Sequence, residues 1–307
     1  MDFGVFLPVS GGACTRAGLR HAAETAERLG FTTVWAADRI IIPWQIESEY
    51  AYSWSDTFIV PPDKPFLESM TALAFLAGAT DKVRLGVSVL VTTYRDPVHF
   101  AKVAASIDWL SEGRFILGVG IGWMAEEFAA LGRADIYPSR GRVADEQLRV
   151  ARNLFSQEHC SFDGDYYSYD DIAFYPKAFE TPIPIWCGGE SRGAQRRAGV
   201  HGDAWFPYFP RVTPEELAAR YDNVRRCAQA AGRDPDQVRL NCCLSAEVTD
   251  VPVAQEPDRL RGTPEQVAER LERFAAIGVE HVALQFLVGR YPERLHQMEQ
   301  LAPVITQ

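Results

Sequence analysis

Two short apolar runs, Phe3-Gly4-Val5-Phe6-Leu7 and Thr33-Val34-Trp35-Ala36-Ala37, bracket a segment whose apolar residues fall at Leu19, Ala22, Ala23, Ala26 and Leu29. The runs are too short for helices and rich in β-formers, so they read as strands. The spacing between them is one helical face, Gly18–Leu29, and Gly30 follows where a C′ glycine ends a helix. A strand, a helix and a strand joined by a crossover of this length pair in parallel with a right-handed connection.

The unit recurs along the chain. Strands are predicted at Val83–Val91, Phe115–Val119, Ile183–Cys187, Ala204–Phe206, Val238–Val248 and His281–Leu287. Helical patterns fill the intervals, among them Leu67–Ala77, Pro97–Leu110 and Ser191–Ala198. Thr213-Pro214-Glu215-Glu216 and Thr263-Pro264-Glu265-Gln266 both spell a capping box at a helix start. Eight strands alternating with helices predict an α/β fold closed as a (β/α)₈ TIM barrel, in preference to an open doubly wound sheet. Two stretches break the rhythm: 38–65 after the second strand, and 156–183, with a turn signal at Asp163-Gly164-Asp165, before the fifth. They read as insertions, and 1–307 reads as one barrel domain with no linker.

Composition narrows the function. Of 307 residues, 31 are Lys or Arg and 41 Asp or Glu, for a net charge of −10. That balance lacks the basic footprint of nucleic-acid binding. Hydrophobic content of 47% and charged content of 23% fit a globular core and exclude disorder or coiled coil. Apolar runs such as Thr71–Ala79 fall short of the roughly 20 residues of a membrane span. The opening Met1–Val5 is strand-like and does not read as a secretory leader, so a cytoplasmic protein with reduced thiols is expected. Its six cysteines show no C-x-x-C spacing, and no metal site is expected.

In such barrels the chemistry lies at the C-terminal ends of the strands. There, Trp186-Cys187-Gly188-Gly189-Glu190-Ser191-Arg192-Gly193 runs from strand through a glycine pair into a helix. Such a turn either presents free N–H groups to a phosphate or is only a tight connection with Ser191 as cap. Gly118-Val119-Gly120-Ile121-Gly122-Trp123 leaves room either for a flat ring or for a bulge or close packing. The 38–65 excursion carries Trp44, Tyr50, Tyr52, Trp54 and Phe58, which either roof a ligand or pack on the rim. No hydrolytic or metal motif appears, which points to a cofactor that carries the chemistry itself.

The residues Ala26 to Trp35, Val83 to Leu90, Arg114 to Trp123 with Glu126-Glu127-Phe128, and Ile183 to Gly189 with Gly202-Asp203-Ala204-Trp205 resemble the luciferase-like monooxygenase superfamily. The similarity runs from residue 1 to about 290. Phe66-Leu67-Glu68-Ser69 through Gly122-Trp123 is most similar to the probable oxidoreductases that use the deazaflavin coenzyme F420. The resemblance implies a hydride transfer between F420 and a small organic substrate. FMN, in a monooxygenase, is the alternative cofactor, and a non-catalytic flavin-binding protein is a further alternative. It also implies a homodimer or larger assembly, and a cis peptide at Ser88–Val89 behind the cofactor ring.

The candidate cofactor-binding residues are accordingly Asp38, Ser88, Val89, Gly120, Gly122, Gly188, Gly189, Glu190, Ser191, Arg192 and Gly193. Asp38 and Arg39 are the candidate catalytic residues, and Trp44, Trp54 and Trp123 the candidate substrate contacts. One departure matters. Many deazaflavin relatives have His where this chain has Arg39, and the sugar-phosphate dehydrogenases among them have Glu where it has Trp123. A permanently cationic guanidinium cannot act as a base at neutral pH. The expectation therefore shifts from sugar-phosphate oxidation to reduction of an activated double bond or carbonyl.

Overall fold

A computed structural model describes residues 1–307 apart from 51, 53–57, 59, 210, 255, 287–289 and 307. Among the described residues eight parallel strands close on themselves: β1 (Asp2–Phe6), β2 (Thr33–Ala36), β3 (Arg84–Val87), β4 (Phe115–Gly120), β5 (Ile185–Cys187), β6 (Ala204–Trp205), β7 (Arg239–Val248) and β8 (Val279–Phe286). Each pairs with its neighbour in chain order, β6 joins β7 through Ala204 and Arg239, and β8 returns to β1 through His281 and Asp2. The (β/α)₈ TIM barrel read from the sequence is the observed fold.

Nine helices among the described residues surround the sheet: α1 (Arg16–Arg28), α2 (Ser69–Ala77), α3 (Pro97–Leu110), α4 (Ala125–Ala130), α5 (Arg140–Ser156), α6 (Arg192–His201), α7 (Pro214–Ala230), α8 (Pro264–Ala276) and α9 (Tyr291–Ile305). The stripe Leu19, Ala22, Ala23 and Ala26 of α1 is buried, as its spacing requires. Residues 37–68 separate β2 from α2. The hairpin Cys160–Asp163 with Ser168–Ile172 lies between α5 and β5.

Both capping boxes form. Thr213 accepts from Glu216 N while the Glu216 carboxylate accepts from Thr213 N, and Thr263 and Gln266 repeat the exchange. Thr213→Ala is expected to cost about 1 kcal/mol, read as a fall of about 2 °C in the thermal midpoint.

The barrel interior is filled in layers. Trp35 lies across Gly4 and Gly86, where a Cβ would come within 2.5 and 2.3 Å of its ring. Trp186 and Phe206 pack on it at 5.2 and 4.6 Å between ring centres. A buried tryptophan removes about 200 Å² from water, worth about 5 kcal/mol as an upper figure. Its Nε1 donates to His281 Nε2 at 3.2 Å. Burial pushes the His281 imidazole down to about 3, so this ring is a neutral acceptor inside the barrel.

The third strand departs from its expected span. Leu85 and Gly86 pair with Phe115 and Ile116, but Leu90 and Val91 pair with Val119 and Gly120. One residue is therefore extra between the two pairings, and the strand expected over Val83–Val91 divides around a bulge at Ser88–Val89. The helix expected from Leu67 begins at Ser69, because the Glu68 carboxylate accepts from Thr71 N as its cap. The helix α4 starts at Ala125.

Candidate active site

Asp38 and Arg39 leave β2 at the C-terminal mouth, and both are buried. Asp38 is fully engaged by four donors. Its Oδ1 accepts from Ser69 Oγ at 2.8 Å and Arg95 Nη2 at 2.7 Å. Its Oδ2 accepts from Arg95 Nη1 at 2.7 Å and Val91 N at 2.9 Å. This carboxylate ties the second and third strand ends to α2, and no lone pair direction is left for proton transfer.

Arg39 is paired through one nitrogen, while its buried Nε has no hydrogen-bond partner among the described residues. Nη1 pairs with Glu127, whose side chain is inaccessible, and the guanidinium lies 4.8 Å from the Phe58 ring centre and 5.1 Å from that of Trp123. The second Glu127 oxygen accepts from the N–H groups of Ile40 and Ile41 at 2.8 and 3.2 Å. A planar, delocalised cation suits such a place between rings. Arg39 thus acts as the root on which the 38–65 excursion stands.

The neighbouring Glu126 holds Glu47 N and Ser48 N at 2.7 and 3.0 Å. The chain turns inward only beyond that point. Tyr50 reaches Trp123 at 4.8 Å and Phe58 at 5.4 Å, and Tyr52 reaches Tyr208 at 6.0 Å. Trp44 precedes the turn and remains outside at 80% exposure, so the substrate contact expected of it is not formed here. Trp54 lies outside the described residues. Trp123 stands at the mouth.

The three alternate glycines are not an open floor. A Cβ on Gly118 would lie 2.0 Å from the Val87 carbonyl oxygen, and one on Gly120 2.5 Å from Val89 Cγ2. A Cβ on Gly188 would meet Val89 Cγ1 at 2.8 Å. These glycines make room for the bulge, and Val89 itself is what they carry upward. The Ser88–Val89 peptide bond is cis. Gly122, at φ +76°, packs on Phe128 and Val91.

Across the mouth, Gly189 turns through φ +93° and Ser191 caps α6 by accepting from Ala194 N at 3.2 Å. Ser191 is therefore a cap, as expected, and the turn also leaves donors free. The N–H groups of Arg192 and Gly193 meet no protein acceptor among the described residues. They point outward from a helix start, where an anion is favoured.

Glu190 turns the other way. Its Oε1 accepts from Tyr208 N at 3.0 Å, and the Tyr52 hydroxyl bonds the same carboxyl. Burial pushes Glu190 up to about 7, against the opposing pull of those donors and of Arg220. Burial also raises the phenol of Tyr50 to about 12 and lifts Tyr208 higher still. The Tyr208 hydroxyl pairs with Ser245 Oγ at 2.9 Å.

Sequence reading named Glu190 only as part of the phosphate turn and missed Arg95, Glu127, Tyr208 and Ser245. Arg95 and Tyr208 do lie just past strand ends, where side chains of this kind can be sought. Glu127 stands in a recognisable motif, but its partner is 88 residues away in sequence.

The mouth thus has donors for a phosphate on one side and rings and hydroxyls on the other. A coenzyme with a planar ring and a phosphate fits this chemistry. Among the described residues there is no group of His, Cys, Asp and Glu placed to hold a metal, and no helix long and apolar enough to cross a membrane.

Comparison with known proteins agrees with this architecture. Residues 1–252 match the family model of luciferase-like monooxygenases. An F420-dependent hydroxymycolic acid dehydrogenase of Mycobacterium tuberculosis is 30% identical over 230 residues, covering 74% of this chain and 58% of that protein. The FMNH(2)-dependent dimethylsulfone monooxygenase of Pseudomonas putida is 27% identical, covering 87% and 82%. In structure, an F420-dependent secondary alcohol dehydrogenase superposes with a TM-score of 0.79 at 19% identity, covering 99% of this chain and 98% of that one. With a barrel, a glycine-led helix start and a family match over most of its length, the chain belongs to the luciferase-like monooxygenase family.

Proposed function

We propose that this protein is an oxidoreductase that moves a hydride between the deazaflavin coenzyme F420 and a small organic substrate. The observation that carries the reading is the free helix start at Arg192 and Gly193 beside an aromatic, hydroxyl-lined mouth. When bound, the coenzyme supplies the two-electron chemistry. The chain's own residues do the rest. The turn Gly188–Gly193 would hold the phosphate, Val89 would back the ring, and Trp123 with Tyr50 and Phe58 would exclude water from the substrate.

Asp38 and Arg39 serve as positioning residues in this reading. Asp38 holds the strand ends in register through Arg95, and Arg39 holds the excursion through Glu127. Neither is free to exchange a proton, so sugar-phosphate oxidation by a His/Glu pair is not supported. Reduction of an activated double bond or carbonyl is.

The likeness to the dimethylsulfone monooxygenase favours a second reading, with reduced FMN and oxygen. Titration of the purified protein with F420 and with FMN, followed by coenzyme fluorescence, separates them. The expected result is tighter binding of F420. Preference for FMN overturns the first reading in favour of the second, and binding of neither overturns both.

A further inference from the structure

We propose that Glu190 is the acid of this site, giving its proton through the Tyr52 hydroxyl to the substrate as the hydride arrives. The proposal rests on the oxidoreductase reading and answers a question which that reading leaves open: what replaces the His/Glu pair of related enzymes.

The backbone and side chain of Glu190 face opposite ways. Its carbonyl is held at the α6 end by Gln195 Nε2 at 2.8 Å, while the carboxyl turns into the mouth. There it accepts from Tyr208 N at 3.0 Å and meets the Tyr52 hydroxyl. The groups that face it are Tyr50 and Tyr52 from the excursion, Tyr208 beyond β6, Cys243 of β7 and Arg220 of α7.

The others are poorly suited to give a proton at neutral pH. Tyr50, Tyr52, Tyr208 and Cys243 are all raised by burial and hold their protons. Arg220 and Arg39 are guanidinium ions, which stay charged. Glu190, pushed up to about 7, is poised where a general acid works best.

The step balances. A hydride from the reduced deazaflavin, which is oxidised by two electrons, forms a new C–H bond on one atom of the substrate's C=C or C=O group. The π bond breaks, and its electron pair takes the proton of the Tyr52 hydroxyl, which is replaced in the same motion by the proton of Glu190. The carboxylate left behind accepts from Tyr208 N–H and Tyr52 O–H until solvent returns a proton.

The test uses Glu190→Gln and Tyr52→Phe in the full chain, with 2-cyclohexen-1-one as the probe enone. The first readout needs no coenzyme. A carboxyl whose pKa is raised on folding contributes stability below the ordinary carboxylate range and loses it as pH rises through about 7. The wild type is therefore expected to lose thermal stability relative to Glu190→Gln between pH 5 and pH 8, values set by about 4.5 and 7. No such widening gap overturns the proposal.

The second readout is kinetic. Wild-type kcat should fall as pH rises through about 7. Glu190→Gln should lower kcat by about 100-fold, abolish that limb, and leave F420 affinity within about 3-fold. Tyr52→Phe, which cuts the relay between Glu190 and the substrate, should lower kcat by a similar factor and likewise abolish the limb. Loss of F420 affinity in Glu190→Gln in step with kcat, an unchanged kcat in either variant, or a wild type that leaves the enone unreduced overturns the role. A wild type that binds neither coenzyme while the stability gap persists locates the failure in the oxidoreductase reading.

Discussion

Asp38→Ala is expected to lower the free energy of unfolding by about 3 kcal/mol, measured by urea denaturation at neutral pH. The Asp38 side chain is wholly inaccessible, and the Arg95 side chain that pairs with it is 12% exposed. Removing the carboxylate strands a nearly buried guanidinium and leaves Val91 N and Ser69 Oγ without their acceptor. Breaking a buried pair costs about 3–5 kcal/mol when one charge is left behind. The lower end applies because Arg95 retains Glu68 at 3.0 Å. Asp38→Asn, which keeps the shape and part of the hydrogen bonding, should cost less. If alanine costs under about 1 kcal/mol, the pair does not hold the strand ends as argued.

Gly189→Val is expected to weaken F420 binding by about 100-fold or more while circular dichroism still reports a folded barrel. At φ +93° a β-branched residue is strained by about 1–3 kcal/mol. Its Cβ would also fall 2.9 Å from the Ala194 Cβ. The turn can relieve both only by rotating, which moves the donors of Arg192 and Gly193 away from the phosphate and disturbs the bond from Trp205 Nε1 to the Gly189 carbonyl at 2.9 Å. A change of about 2.7 kcal/mol in binding corresponds to the stated factor. Gly78→Ala, where a methyl meets open space, is the control and should leave affinity unchanged. Equal binding by Gly189→Val and the wild type would remove the phosphate from this turn.

The two arguments draw on different parts of the sequence. The turn at Gly188–Gly193 was legible because its chemistry is local. Left-handed backbone, a capping hydroxyl and free N–H groups all follow from neighbours along the chain. The capping boxes at Thr213 and Thr263 were legible for the same reason. Asp38 was visible as a residue at a strand end, but its task was not. Arg95 lies 57 residues away and meets it only because β2 and β3 are adjacent in the barrel.

The alternate glycines at 118, 120 and 122 mark the same boundary. Their spacing announces that something comes close to the strand, and either a flat ring or a bulge satisfied it. The answer is the Val87–Val91 segment, with Val89 over Gly120, brought there by one extra residue between two ladder pairings. Trp44 and Tyr50 likewise look alike in sequence, and only the Glu126 clamp at residues 47–48 sends one outward and the other in.

By itself, then, the sequence determined the barrel, through the alternation of period-2 and period-3.6 apolar patterns, and it marked the glycine turn that is proposed to hold a phosphate. The tertiary structure alone decided which side chains are free to act. It bound Asp38 to Arg95 and Arg39 to Glu127, and it enclosed Glu190 among Tyr52, Tyr208 and Cys243. The physical reason is that a side chain's protonation and availability depend on burial and on partners contributed by distant strands, and no local pattern encodes either.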